Sequence, residues 1–326
     1  MRPTVAKPDL DIRVLRQFLA VSEAGSMTRA AEQLNVAQPA LSQQIQRLER
    51  NLQKTLFERH ARGVQLTAAG EALAVHARDI LAVVDRARTE LVGTSGGVSG
   101  TVVIGLPMSA AELFALDFIE LAQQRHPALR ILLHDRSSEE VNSLLLAGKL
   151  DLALTFYRPE ANWVDAKPLY EEALAFAIPP SLGASAPIPI PIPITRRAQM
   201  RRLGEVPLAL PTRIHGLRQT LEQAASEAGV SLDVRFEFES IHLLREAVGR
   251  GLAASVLPMS LLAAFMPKKQ LQIARLMAPA FNRTLYIASS RRRPLSAALS
   301  AARTLLEETA LAAIVRAPIR AFYRKA

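Results

Sequence analysis

The sequence predicts two structural classes in one chain: an all-α N-terminal unit ending in one long helix, then an α/β unit of two lobes around a cleft. Three observations predict it. Apolar residues recur at helical spacing from residue 11 to residue 92. The stretch TSGGVSG (94–100) then interrupts the pattern and marks a hinge. Beyond it, short apolar runs alternate with amphipathic stretches, as expected of a mostly parallel sheet covered by helices on both faces.

In the first unit, Ile12, Leu15, Phe18 and Leu19 share one face of a helix over 11–21. Gly25 and Ser26 break it, and Ser26 or Thr28 caps a second helix that turns Ala30, Ala31 and Leu34 inward. Asn35 and Val36 make a turn. A third helix over 38–52 carries Leu41, Ile45, Leu48 and Leu52 as one stripe. Pro39 stands in its first turn, where a missing N–H has no intrahelical partner anyway. Gln38, Ser42, Gln43 and Gln46 lie off that stripe, near the helix start. Two short helices, a tight turn and a helix with uncharged hydrogen-bonding side chains at its N-terminal end describe a helix-turn-helix reader. A small bundle with a solvated polar face fits the same pattern. Glutamine suits bidentate contact with adenine, and serine can contact bases or phosphate.

The segment LFERHARGVQLTAAGE reads as a hairpin wing between Phe57 and Leu66. Arg59, His60 and Arg62 are placed to lie on phosphates or enter a minor groove, a plain surface turn being the other reading. Over 67–92, Leu73, Ala77, Ile80, Val84, Ala87 and Leu91 recur as an unbroken heptad seam. Next to a reader, such a seam predicts a dimerisation helix that sets two recognition helices on one duplex. Packing on its own domain is the other reading.

In the second unit, strands are predicted at 101–105, 130–133, 151–156, 173–178, 206–210, 232–238, 252–257 and 284–288. The intervening helices fall at 110–124, 139–147, 196–203, 217–228, 241–250 and 295–308. The predicted organisation is a reader over 9–66, a linker helix over 67–93 and a hinge over 94–100. One lobe comprises 101–162 and 268–308, the other 163–267, and a basic tail 309–326. PIPIPIPIT (187–195) is expected to be an exposed extended insertion, because a proline at every second position cannot pair on both sides of a sheet. Open α/β sheets bind ligands beyond the carboxyl ends of their strands.

The formal net charge is +10. Residues 2–62 hold ten Lys/Arg against six Asp/Glu, and residues 291–326 hold eight against two, so the body between is nearly neutral. Basic ends on a neutral body point to nucleic acid. There is no cysteine, which excludes disulfides, thiolate metal sites and a cysteine nucleophile. Neither a P-loop, a G-x-S-x-G nor an H-E-x-x-H motif is present, and the six histidines are scattered. No enzyme, no cofactor and no metal are expected. Charged residues interrupt every apolar run near the N-terminus and no apolar span reaches about 18 residues, so a cytoplasmic chain without a membrane partner is expected.

With these residues placed, FLAVSEAGSMTRAAEQLNVAQPALSQQIQRLERNLQKTLFERHARGVQLTAAGE resembles the DNA-binding domain of the LysR-type transcriptional regulators. GTVVIGLP, LLLAGKLDLAL and AVGRGLAASVLP resemble that family's effector-domain blocks, and LPTRIHGLR resembles the branch that includes the nitrogen assimilation control proteins. The resemblance implies a winged helix-turn-helix, a long dimerising linker helix and a two-lobed, periplasmic-binding-protein-like effector domain. It implies promoter DNA as partner, self-assembly as a dimer and then a tetramer (a dimer of dimers), a small-molecule effector and RNA polymerase.

Matched motif by motif, Gln38, Pro39, Ser42 and Gln43 enter the major groove, Ser26 and Thr28 contact phosphate, and Arg62 reaches the minor groove. Gln43 stands where relatives often have arginine, so adenine rather than guanine is favoured there. In the effector domain the resemblance marks Ser109 as a contact to the inducer. A hydroxyl at a helix start is suited to an anion, and Ser138 follows its strand in the same way. From the other lobe, Thr212, Arg213, His215 and Ser240 are the candidates to complete a site for a small anion, with Arg213 or Arg218 as counter-charge. Met108 fills a spot that is commonly small, and Ala253 replaces the second glycine of a pair begun by Gly251. The rival expectations are a LysR-type regulator that needs no ligand and follows its own abundance, and a small-anion binding protein without a DNA role.

Overall fold

The computed structural model of the chain describes residues 10–60, 63–92, 97–182, 196–213, 216–262, 271–276, 282–293, 295–316 and 323–325. Helix α1 (Ile12–Ala24) starts at Asp11, whose carboxylate accepts from the Arg13 N–H at 2.8 Å. It ends at Gly25, whose φ of 60° lies in the left-handed region that favours glycine. Ser26 caps α2 (Met27–Gln33) by accepting from the Arg29 N–H. Asn35 takes a φ of 52° in the turn before α3 (Gln38–Leu52), and Pro39 sits in the first turn of that helix. Leu41, Ile45 and Leu48 of α3 are buried with Leu15, Phe18 and Val21 of α1, in a core that also takes Ala74 and Ala77.

Strands β1 (Phe57–His60) and β2 (Gly63–Leu66) form the wing as an antiparallel hairpin. It is pressed onto the turn between α1 and α2. The Val64 N–H donates to the Gly25 carbonyl at 3.0 Å, and a Cβ on Gly63 would lie 2.3 Å from that oxygen. With a φ of 138° as well, position 63 requires glycine on grounds of both space and backbone. Thr67 then caps α4 (Ala68–Val92), its hydroxyl accepting from the Gly70 N–H at 3.1 Å.

The second unit opens with β3 (Gly100–Pro107), α5 (Met108–Arg125), β4 (Leu129–Arg136), α6 (Ser138–Leu146) and β5 (Leu152–Thr155), with β3 parallel to β4 and β5. The chain continues through β6 (Val164–Ile178), α7 (Arg196–Gly204), β7 (Leu208–Pro211), α8 (Gly216–Glu227), β8 (Val234–Phe238) and α9 (Ile241–Gly249). It closes with β9 (Ser255–Pro258), α10 (Met259–Leu262), β10 (Gln272–Arg275), β11 (Asn282–Ser290), α11 (Ala297–Arg316) and β12 (Tyr323–Lys325). The main sheet runs β10-β6-β11-β5-β3-β4, with β9 and β12 also paired to β6. Two cores fill the lobes, one around Ile104, Phe114, Phe118 and Leu285, the other around Phe176, Met200, Leu208 and Leu221.

Three sequence expectations are corrected. The sheet is mixed, because every pairing of β6 and β11 is antiparallel. The lobes do not meet at a boundary near residue 163: β6 pairs with β11 along Val164–Ala173 and with β9 and β10 over Leu174–Ile178, so one strand runs through both lobes. The final helix does not stop at Glu308 but continues to Arg316, because Ala310, Ala313 and Ile314 keep an inward face, and the backbone of Tyr323–Lys325 then adds a strand beside Tyr170–Glu172. PIPIPIPIT lies outside the described residues. Among the described residues, no helix is long and apolar enough to cross a membrane.

Candidate nucleic-acid interface and interlobe cleft

The outer face of α3 carries Gln38, Pro39, Gln43, Gln44, Gln46 and Arg47, all exposed, with Ser42 half-buried beside them. The one carboxylate of this helix, Glu49, is drawn away from that face: its Oε1 accepts from the N–H groups of Leu56 and Phe57 at 2.7 and 3.2 Å. The exposed face of α3 thereby carries no carboxylate from its own helix. The wing reaches the same face, since the Arg59 guanidinium donates to the Ser42 hydroxyl at 3.3 Å. The structure thus brings Ser42 and Arg59 together. Thr28 is exposed, while the Ser26 hydroxyl serves as a helix cap. Arg62 lies outside the described residues.

The heptad seam of α4 divides. Ala77 has no exposed surface and cannot face a second chain, while Leu73 is half-buried against the same core. A continuous seam is therefore corrected to its later part: Ile80 is exposed, Val84 half-buried and Ala87 exposed, with Val83 exposed alongside. The Leu91 side chain lies outside the described residues.

Between the lobes lies a cleft of about 850 Å³. Its wall includes Ser109 and Ser138, as expected from sequence, but their hydroxyls are engaged. Ser138 Oγ accepts from the Phe156 N–H at 3.2 Å, and the cap of α6 is Ser137, which exchanges hydrogen bonds with Glu140. Ser109 Oγ accepts from Nη2 of Arg283 at 2.7 Å. Arg283 is the deep cation of the cleft. It also donates from Nε and Nη2 to Glu172 Oε2, at 3.0 and 2.7 Å, and its guanidinium lies 3.5 Å from the centre of the Phe156 ring. Glu172 is fully buried, and its Oε1 accepts from the Ser260 N–H at 2.7 Å.

The expected contribution of the second lobe is corrected. Thr212, Arg213 and Ser240 do not border the cleft, and His215 lies outside the described residues. Arg213 points outward beside Glu222, and Ser240 caps α9. Arg218 is buried and spends its N–H groups on Glu222, Glu237 and the Pro211 carbonyl. The second lobe instead presents Gly216, Leu217, Thr220, Glu239 and Ile241. Met108 borders the cleft, whereas Ala253 is sealed in the core and does not. Sequence reasoning missed Arg283 because no local motif marks it; only the cross-strand pairing of Arg283 with Glu172 brings it to Ser109.

Among the described residues, four carboxylates (Asp135, Glu139, Glu140, Glu239) and three guanidiniums (Arg136, Arg158, Arg283) line the cleft. With Arg283 committed to Glu172, the lining is left with an excess of negative charge. Burial raises the Asp135 carboxyl above its usual range, and nearby Glu112 adds to this. Burial, with Glu139 beside it, likewise raises the Tyr157 hydroxyl. Among the described residues, ties between the lobes include Glu139 Oε1, which accepts from the Gly216 N–H at 2.9 Å, and the pairing of Arg245 with Glu112. A Cβ on Gly216 would lie 2.1 Å from the Tyr157 hydroxyl, so a larger residue there would push the Tyr157 ring aside. Among the described residues, no cluster of His, Asp and Glu is arranged to hold a metal ion.

This arrangement has known counterparts. Residues 12–71 match the family described as bacterial regulatory helix-turn-helix protein, lysR family, and residues 95–311 match the LysR substrate binding domain. The nitrogen assimilation regulatory protein nac of Klebsiella aerogenes is 30% identical over 298 residues, covering 91% of this chain and 94% of that protein. The HTH-type transcriptional regulator BudR of Raoultella terrigena is 32% identical over 264 residues, 79% of this chain and 88% of its own. In fold, the chain resembles a full-length OxyR variant from Pseudomonas aeruginosa, with a TM-score of 0.73 at 21% identity over 98% of this chain and 99% of that one. A helix-turn-helix unit joined by a long helix to a two-lobed domain is thus accounted for: the chain belongs to the LysR family and is a DNA-binding transcriptional regulator, not an enzyme.

Proposed function

We propose that the chain reads promoter DNA with Gln38, Pro39, Ser42 and Gln43 of α3 in the major groove. Ser26, Thr28 and Arg59 hold the backbone and Arg62 enters the minor groove. The observation that carries this reading is the exposed row of glutamines from which Glu49 has been withdrawn. To test it, a preferred site is selected from random duplexes and bound by the wild type and by Gln43→Ala. The variant is expected to lose about 1–3 kcal/mol of preference at one base pair. Unchanged preference at every position would remove Gln43 from the reading set.

Two copies pair through the later part of α4, at Ile80, Val84, Ala87 and Leu91. Exposed Leu116 and Ile119 on α5 and Leu132 on the edge strand β4 supply a second apolar surface, suited to joining dimers into a tetramer. The assembly works in the cytoplasm and acts on RNA polymerase at the promoter.

The cleft takes a small effector. The anion expected from sequence is replaced by a ligand that also bears a positive group, because carboxylates outnumber guanidiniums on the wall. Thermal unfolding of the full chain with amino acids, diamines, dicarboxylates and inorganic phosphate tests this. A ligand at one hundred times its Kd adds about 2.7 kcal/mol, and stabilisation is expected from amine-bearing compounds. Stabilisation by simple anions alone would restore the anionic reading. The engagement of Ser109 and Arg283 by the chain's own groups favours a second reading, a regulator that needs no ligand. No shift with any compound would select it.

A further inference from the structure

We propose that α6 couples the cleft to the reading heads, and that Arg78 and Arg293 are positioning residues that fix the linker helix against the first lobe. The proposal rests on the cleft being the regulatory site. Helix α6 has nine residues, about 13 Å at the helical rise per residue, and its two ends meet different partners. At the N-terminal end, Ser137 to Glu140 border the cleft, and Glu139 accepts from Gly216 of the other lobe. At the C-terminal end, the Ala147 carbonyl accepts from Nη1 of Arg78 at 2.8 Å, and the Gly148 carbonyl accepts from Nη2 of Arg293 at 2.5 Å. Cations suit the carbonyls at a helix C-terminus.

These two arginines are bound on the linker side as well. Arg78 belongs to α4, and Arg293 donates from Nε to Asp79 of α4 at 2.7 Å and from Nη1 to Asp151 at 3.0 Å. Asp151 is itself anchored in the sheet, its Oδ2 accepting from the Val103 N–H at 2.8 Å. The Arg78 and Arg293 side chains are 10% and 9% exposed, so these bonds are little weakened by water. Gly148 keeps the site open: its φ is 67°, and a Cβ there would lie 3.0 Å from the Arg293 guanidinium. Between its ends α6 is stiff, with a capping box at the start and Val141 and Leu145 fully buried. A movement of the second lobe that pulls on Glu139 is therefore carried with the first lobe to the clamp on α4, a small shear between packed elements.

The absence of cysteine allows clean labelling. Spin labels are placed through Glu32→Cys on α2 and Glu120→Cys on α5, both exposed, and labelled chains are diluted with unlabelled ones so that only distances within a chain are read. In Arg293→Ala, and in Asp79→Ala, which leaves the lobe's own bonds to Arg293 in place, the distance distribution is expected to broaden about twofold as the clamp opens. Glu139→Ala, at the far end of α6, is expected to shift the same distribution, and Glu139→Gln, which keeps an oxygen for the Gly216 N–H, to restore it. A wild-type distribution in Glu139→Ala would overturn the coupling, and one in Asp79→Ala would overturn the clamp. These distances are read without ligand or DNA, so a ligand panel that finds nothing counts against the effector reading and leaves this result standing.

Discussion

Glu172→Ala should destabilise the C-terminal unit by about 3 kcal/mol, because it leaves the Arg283 guanidinium without its buried counter-charge. Arg283 keeps 21% exposure, so water offsets part of the loss and holds it at the low end for a broken buried pair. The Ser260 N–H loses its acceptor at the same time. Trp163, the single tryptophan, packs in the first lobe and reports on this transition. In urea, its fluorescence midpoint should fall clearly in Glu172→Ala and recover most of the way in a double variant with methionine at both 172 and 283, since replacing both partners by apolar groups is often neutral. An unmoved midpoint in Glu172→Ala would mean that the pair contributes nothing to the fold. The same variant leaves Arg283 as an uncompensated cation in the cleft, still donating to the Ser109 hydroxyl, so it should bind simple anions more tightly than the wild type.

Phe18→Ala should cost the reading head about 3–5 kcal/mol, the range for emptying a buried aromatic site. Phe18 has no exposed surface, and its ring centre lies 5.2 Å from that of Phe57, the first residue of the wing. Truncation therefore loosens α1 and the wing together, and with them the Arg59–Ser42 contact on the reading face. Far-UV circular dichroism in urea should show an early loss of helix while the Trp163 transition stays in place. DNA affinity should fall with it. Coincident movement of both transitions would show that the two units unfold as one.

The reading head was almost wholly legible from sequence, because its structure is encoded over short distances. The stripe Leu41, Ile45, Leu48, the break at Gly25, the turn at Asn35 and the placement of Pro39 each depend on neighbours within a few residues, and each stands where periodicity puts it. The helices of the lobes follow for the same reason. The seam on α4 shows where this reasoning stops. Its spacing is that of a heptad from Leu73 to Leu91, but periodicity defines only that one face is apolar. Whether a second chain or the domain's own core covers that face depends on packing, and Ala77 went to the core.

The cleft was legible only in part. Ser109 and Ser138 were found because each follows a strand and starts a helix, a local signal. The cation that meets Ser109 lies 174 residues further along the chain, and its counter-charge Glu172 lies 111 residues before that cation. No periodicity reports such a pairing, because it follows from the order of strands in the sheet. For the same reason Arg218, a reasonable counter-charge by position, turned out to be buried among Glu222, Glu237 and the Pro211 carbonyl. Local spacing of apolar, capping and turn residues was sufficient to establish the class of each unit and the exposed polar face of α3. Which side chains neutralise one another, which lobe supplies the wall of the cleft and how the linker helix is held were settled by folding. Those outcomes depend on contacts between distant segments, whose energies act only once the sheets and helices are packed.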